Sequence, residues 1–340
     1  MHKVLITVAA LLGAMMSTFS TLAQSSHDHL LSGQAAPYWR PELLVREQTP
    51  ADGDRSRSVL YIHGSSFPSA SSVMFRLGGT SWADALNAAG FNVFALDFAG
   101  YGGSERYPVM ANDDPVGAPP GRAPEAAEQI ARAVAFIRHQ TGASRVSVIA
   151  HSWGTIPAAL FTIRHPEAVD RVVLFGPILE RQGPSTNENS RSSLVTIAQQ
   201  HARFVGGVPV GHPPVLEEAD FPRWASVYLA SDPQAGERTP ASVKIPSGPA
   251  ADLLAAWSGR LGYDPGDLTR PVMLIRGEWD APSSAADAAW FISEFASGLE
   301  YRIVTVPDAT HLMHLETGRH TLYTATNTFL AGTLDDSQHQ

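Results

Sequence analysis

The chain has 340 residues, 44% hydrophobic and 17% charged, a globular composition long enough for one large domain or two ordinary ones. Its formal net charge is −9, its only lysines are Lys3 and Lys244, and it has no Lys/Arg-rich run, which argues against nucleic-acid binding. Cysteine is absent, so disulfides, thiolate nucleophiles and cysteine-based metal sites are excluded.

The first residues, MHKVLITVAALLGAMMSTFSTLAQSS, open on basic Lys3 and run apolar from Val4 to Met16. Small Thr21 and Ala23 follow at cleavage-site spacing. This is the pattern of a secretory signal peptide over residues 1–23. The apolar run is too short for a membrane-spanning helix, which needs about 20 residues. An exported protein, periplasmic or extracellular, is therefore expected, with no stable membrane anchor after cleavage. Residues 24–41 are polar and read as a flexible segment. Its His27-Asp28-His29 could be a metal ligand set, but nothing nearby fixes its geometry, and a loose terminus is the plainer reading.

Six short runs rich in Val, Ile, Leu and Phe follow: 58–64, 92–98, 146–152, 171–177, 271–277 and 301–308. Such runs show little alternation and read as strands buried on both faces, as in a parallel sheet covered by helices. Between them lie helical patterns. Residues 124–142 open with Pro124, place Ile130, Val134 and Ile137 on one face and close on Gly142. Residues 283–298 run from a Ser start to Gly298. The alternation predicts an α/β fold with its site at the carboxyl ends of the strands. The 93 residues of 178–270 exceed any ordinary crossover. They carry Phe204, Phe221, Trp224, Tyr228 and Trp257 and read as an inserted lid. Residues 42–177 and 271–332 then form the core, and 333–340 a loose tail.

Ser152 ends one of the buried runs, where a helical pattern begins, with small Ala150 and Gly154 two positions on either side. A serine on such a strand-to-helix turn has its hydroxyl held out at the sheet edge, next to a helix N-terminus that favours negative charge. The stretch Ala150-His-Ser-Trp-Gly154 resembles the nucleophile elbow of the α/β-hydrolase superfamily, with Ala150 in place of the usual first glycine. The resemblance covers nearly all of residues 42–332. It implies a mostly parallel central sheet flanked by helices, with an inserted helical lid.

Other landmarks follow in the order of that family. His63-Gly64 after the first run resembles its oxyanion loop, which implies backbone donors at Ser65 and Trp153. The His63 side chain itself reads as structural. Asp97-x-x-Gly-x-Gly-x-Ser104 resembles a common superfamily turn, and Asp97 reads as structural too. Asp280, in the loop after Gly277, matches the acid of a catalytic triad, with Glu278 and Glu180 as rivals. His311 matches the base, and His314 lies just beyond it. The order Ser152, Asp280, His311 is that of the fold.

The resemblance thus implies a serine hydrolase acting through an acyl-enzyme, without cofactor or metal. Haloalkane dehalogenases and epoxide hydrolases have similar elbows but use Asp as nucleophile, so Ser152 points instead to acyl transfer. Carboxylic esters or lactones are the expected substrates; the lid aromatics either receive an apolar moiety of the substrate or simply pack the lid onto the sheet. The elbow is also similar to that of proline iminopeptidases, in which acids hold a substrate amino terminus. Glu217, Glu218 and Asp220 could serve there, so amide hydrolysis is the second reading. A non-catalytic binding module is the third.

Overall fold

A computed structural model describes residues 25–36, 39–50, 55, 57–111 and 116–332. The expected leader, 1–23, and the expected tail, 333–340, lie outside the described residues. The strands are β1 (Ser25–Leu31), β2 (Leu43–Thr49), β3 (Ser58–Ile62), β4 (Asn92–Leu96), β5 (Val146–His151), β6 (Val169–Phe175), β7 (Ser192–Thr196), β8 (Ser242–Pro246), β9 (Val272–Gly277) and β10 (Tyr301–Val306). The helices are α1 (Trp82–Ala88), α2 (Ala123–Thr141), α3 (Thr155–Arg164), α4 (Ile197–Val205), α5 (Phe221–Ala230), α6 (Gly248–Ala256), α7 (Ala285–Ser293) and α8 (Arg319–Leu330).

Eight strands form one sheet in the order β1-β2-β4-β3-β5-β6-β9-β10. From β4 to β10 every pairing is parallel, while β2 runs antiparallel to β4 and β1 antiparallel to β2. The six apolar runs are β3, β4, β5, β6, β9 and β10. Alternate residues of the central strands feed two cores. Leu60, Ile62, Val148, Ala150 and Leu174 face α2 and α3. Val59, Tyr61, Ile149, Val173 and Phe175 face α1 and α8. Burial on both faces is why these runs are continuously apolar. The exception is β10, the sheet's edge, where Tyr301 and Ile303 are exposed.

The helix signals match chain chemistry. In α2, Pro124 stands in the first turn, and Gly142 ends the helix at φ 73° with its N–H donating to Arg138 O. In α7, Ser284 and Asp287 form a reciprocal capping box.

The segment read as flexible, 24–41, is ordered over its described residues. β1 pairs with β2 from Ser25↔Thr49 to Leu31↔Leu43. The His-Asp-His stretch lies within β1: Asp28 pairs with Arg46 at 2.8 Å, and His29 Nε2 lies 2.8 Å from Glu47. Beyond β1, Arg132 donates to the carbonyls of Ser32 and Pro41. A polar edge strand has little apolar signal; backbone pairing and charge pairs hold it instead.

The insert between β6 and β9 carries the β7–β8 ribbon and helices α4, α5 and α6. Its Phe204, Trp224 and Tyr228 are buried in the same core as the sheet. Trp224 meets Phe67, in the loop after β3, edge to face at 5.3 Å, and its Nε1 donates to Ser71 O. Among the described residues no helix is long and apolar enough to cross a membrane.

Trp82 joins the layers of the second core, packing against Tyr61, Phe175 and Tyr323 with ring centroids 5.2–5.9 Å away. Trp82→Ala should cost about 3–5 kcal/mol in urea unfolding, the range of large aromatic truncations. A loss under about 1 kcal/mol would mean that this contact does not hold α1 and α8 to the sheet.

Candidate active site

β5 ends at His151, a single tight turn spans Ser152–Gly154, and α3 begins at Thr155. Ser152 has φ 54°, a left-handed conformation that costs a side-chain-bearing residue free energy and recurs at functional turns. Two features hold it there. Thr155 Oγ1 donates to Ser152 O at 2.6 Å. Gly154 lies so close to the carbonyl of His63 that a Cβ would collide with it, so only glycine lets the elbow meet the loop after β3.

The loops after β9 and β10 bring two more residues to this edge. His311 Nδ1 lies 2.8 Å from Asp280 Oδ1, and its Nε2 lies 2.8 Å from Ser152 Oγ. An ionised carboxylate only accepts, so Nδ1 carries the proton and Nε2 is left to accept from the serine hydroxyl. Asp280 is almost fully buried, and its Oδ1 also accepts from Ser283 N. Gly176, at the end of β6, makes room for the pair: a Cβ there would lie 3.1 Å from both the carboxylate and the imidazole. Of the three acids considered from sequence, the structure brings only Asp280 to His311. Glu278 accepts from Asp308 N, and Glu180 accepts from Gln182 and Leu261 N.

Ser65 lies in the loop after β3, and Trp153 follows Ser152. Among the described residues neither backbone N–H has an acceptor. The Trp153 ring is pinned, its Nε1 donating to Asp252 of α6 at 3.0 Å. His63 is fully buried and braces the loop. Its Nδ1–H donates to Gly64 O at 2.6 Å, and its Nε2 accepts from Phe98 N. Burial lowers its pKa and keeps it neutral. Asp97 accepts from Ser69 and Gly103, which ties two loops together.

Two residues that the sequence reading left without a role hold the histidine loop. His151 stacks on Phe175 at 4.1 Å and donates from Nε2 to the carbonyl of His311 at 3.1 Å. Burial and its neighbours His314 and His311 push its pKa well down, so it stays neutral. Glu316 is fully buried and accepts from both the N–H and the hydroxyl of Thr310. The acids weighed for an amino-terminus site are already engaged: Glu217 with Arg319, Glu218 with His201, and Asp220 with Arg223 and Gly78 N.

The model of the alpha/beta hydrolase fold matches residues 57–317, most of the chain. The chain belongs to the alpha/beta hydrolase family. No curated protein matches this hydrolase in sequence. Several solved structures share its fold. A carboxylesterase from Nitrososphaera gargenis aligns with a TM-score of 0.59 at 12% identity, over 89% of this chain and 100% of the other. An esterase from Thermogutta terrifontis gives 0.54 at 17%, over 90% and 98%. A 2-hydroxy-6-oxo-6-phenylhexa-2,4-dienoate hydrolase from a Rhodococcus species gives 0.58 at 15%, over 92% and 100%.

Burial raises the Glu316 carboxyl from its ordinary 4.5 to about 7, against the hydrogen bonds from Thr310. Between those values the folded protein keeps a proton that the unfolded chain has lost. Stability is therefore fully present below the lower value and falls as pH rises through the upper one. Glu316→Gln has no proton to lose. Between pH 5 and pH 8 its unfolding free energy should gain on the parent's by on the order of 2 kcal/mol. An unchanged difference at the two pH values would contradict a buried carboxyl at Glu316 titrating near neutrality.

Proposed function

We propose that this alpha/beta hydrolase is an exported serine hydrolase that cleaves carboxylic esters or lactones through an acyl-enzyme. The observation that carries the reading is the unbroken hydrogen-bond chain from Asp280 through His311 to Ser152, on a serine held at positive φ. In the first step Ser152 Oγ attacks the acyl carbon while His311 Nε2 takes its proton. Asp280 keeps the imidazole in the right tautomer and stabilises the imidazolium. The N–H groups of Ser65 and Trp153 receive the oxyanion, each such donor contributing about 3 kcal/mol to the transition state. His311 then gives its proton to the leaving alcohol. A water deprotonated by the same histidine attacks the acyl-enzyme, which frees the acid and restores Ser152.

Two further points favour esters. The acids that an aminopeptidase-type site would need are already engaged within the protein, Glu217 and Asp220 in ion pairs with arginines and Glu218 in a hydrogen bond with His201. Structures of the same fold include a carboxylesterase and an esterase. Export rests on the leader-like residues 1–23. The insert, residues 178–270, acts in this reading as a lid, fastened to the sheet by its buried aromatics Phe204, Trp224 and Tyr228.

Hydrolysis of 4-nitrophenyl esters beside proline 4-nitroanilide tests the reaction class. Ester turnover should fall about 10⁴-fold or more in Ser152→Ala, and by a comparable factor in Asp280→Asn. Faster, serine-dependent turnover of the anilide would put amide hydrolysis first. Ester turnover that survives in Ser152→Ala would refute the mechanism.

A further inference from the structure

The insert places one cation where the mechanism does not use it. Gln200, Arg203, Phe204 and Gly207 follow the i, i+3, i+4, i+7 spacing of a single face of α4 and its continuation. That face meets both loops that carry the proposed machinery. Phe204 stacks on Phe67, two residues after Ser65, at 6.4 Å. Gly207 packs against Thr310, the residue before His311. Arg203 thus stands between the oxyanion loop and the histidine loop.

The guanidinium is held in place. Arg203 Nη1 donates to Ser66 Oγ and to Gln200 Oε1, and Cζ lies 5.6 Å from the centroid of the Phe67 ring. Yet no carboxylate pairs with it among the described residues, and Nε and Nη2 have no protein acceptor. Most other arginines near the insert are paired: Arg122 with Asp252, Arg181 with Asp287, Arg238 with Asp232 and Arg319 with Glu217. The side chain is open to solvent, but enough protein surrounds it for desolvation to lower its pKa.

A second observation lies on the same ring. His314 stacks over Phe67 at 6.2 Å, is almost fully buried, and has no hydrogen-bond partner on either ring nitrogen. Burial, His311 and then Arg203 depress its pKa to about 3, so it is a neutral imidazole beside the guanidinium rather than a competing cation. On a chain of net charge −9, this corner carries a cation with no carboxylate partner among the described residues, above a buried neutral ring that adds no negative charge. An anion is the ligand that would satisfy the guanidinium.

We infer that the site takes acyl substrates bearing a carboxylate, which the free N–H edge of Arg203 receives beside the oxyanion loop. The inference rests on the serine-hydrolase reading and narrows it to half-esters and other acidic esters. A charge-assisted pair of this kind changes relative rates by about 10- to 100-fold.

Two matched substrate pairs test it. Mono-4-nitrophenyl adipate against 4-nitrophenyl hexanoate puts the carboxylate on the acyl side. 4-(Butanoyloxy)benzoate against its methyl ester puts it on the alcohol side. The readout is the kcat/KM ratio of anionic to neutral substrate in the parent, Arg203→Met and Arg203→Lys, with thermal unfolding as the check on folding. In at least one pair the parent ratio should exceed about 10, collapse toward 1 in Arg203→Met and recover partly in Arg203→Lys. Ratios at or below 1 in both pairs, unchanged in Arg203→Met, would overturn the inference and leave the catalytic reading standing. Absence of Ser152-dependent turnover on all four esters in the parent would overturn both.

Discussion

The positive φ of Ser152 is the constraint around which the site is arranged. A side chain held in that region points away from the path of both β5 and α3, toward the edge where β6, β9 and β10 also end. The conformation persists because its surroundings over-determine it. The sheet anchors one side through the fully buried β5, and α3 anchors the other. Gly154 lets the turn press against the His63 carbonyl, and Thr155 ties back to the Ser152 carbonyl. The strain is local, and the packing that offsets it is spread over two cores.

The same economy governs the partners of the serine. Asp280 and His311 sit on loops, but neither loop is free. His151 reaches from the elbow to the carbonyl of His311, and Glu316 grips Thr310 on the other side. Asp280 is buried against Gly176, where any larger residue would press on the carboxylate and the imidazole. Buried neutral histidines and a buried carboxyl are costly to keep in a core. Here His151 and Glu316 hold the histidine loop, while His63 braces the loop after β3.

Much of this was legible in the sequence, for physical reasons. Parallel strands buried on both faces must be continuously apolar, so β3, β4, β5, β6, β9 and β10 stood out. Ser152, Asp280 and His311 occur at strand ends in the order of the fold. What was not legible depended on pairing or distance. β1 is polar because it is an edge strand held by backbone bonds and charge pairs, so it passed for a loose terminus. Glu278, Glu180 and Asp280 are chemically equivalent on paper, and only the course of the loops separates them. Arg203 had no signal at all, since its neighbours Ser66 and Phe67 lie more than a hundred residues away along the chain. Its meaning comes from what does not pair with it.

The central claim is that Ser152 is a nucleophile activated by His311. Treating the protein with a fluorophosphonate and locating the adduct by peptide mass spectrometry tests it without a choice of substrate. The account predicts a single covalent phosphonyl group on Ser152 that is lost in His311→Ala, because the hydroxyl then has no base. An unlabelled Ser152, or labelling that persists unchanged in His311→Ala, would contradict it.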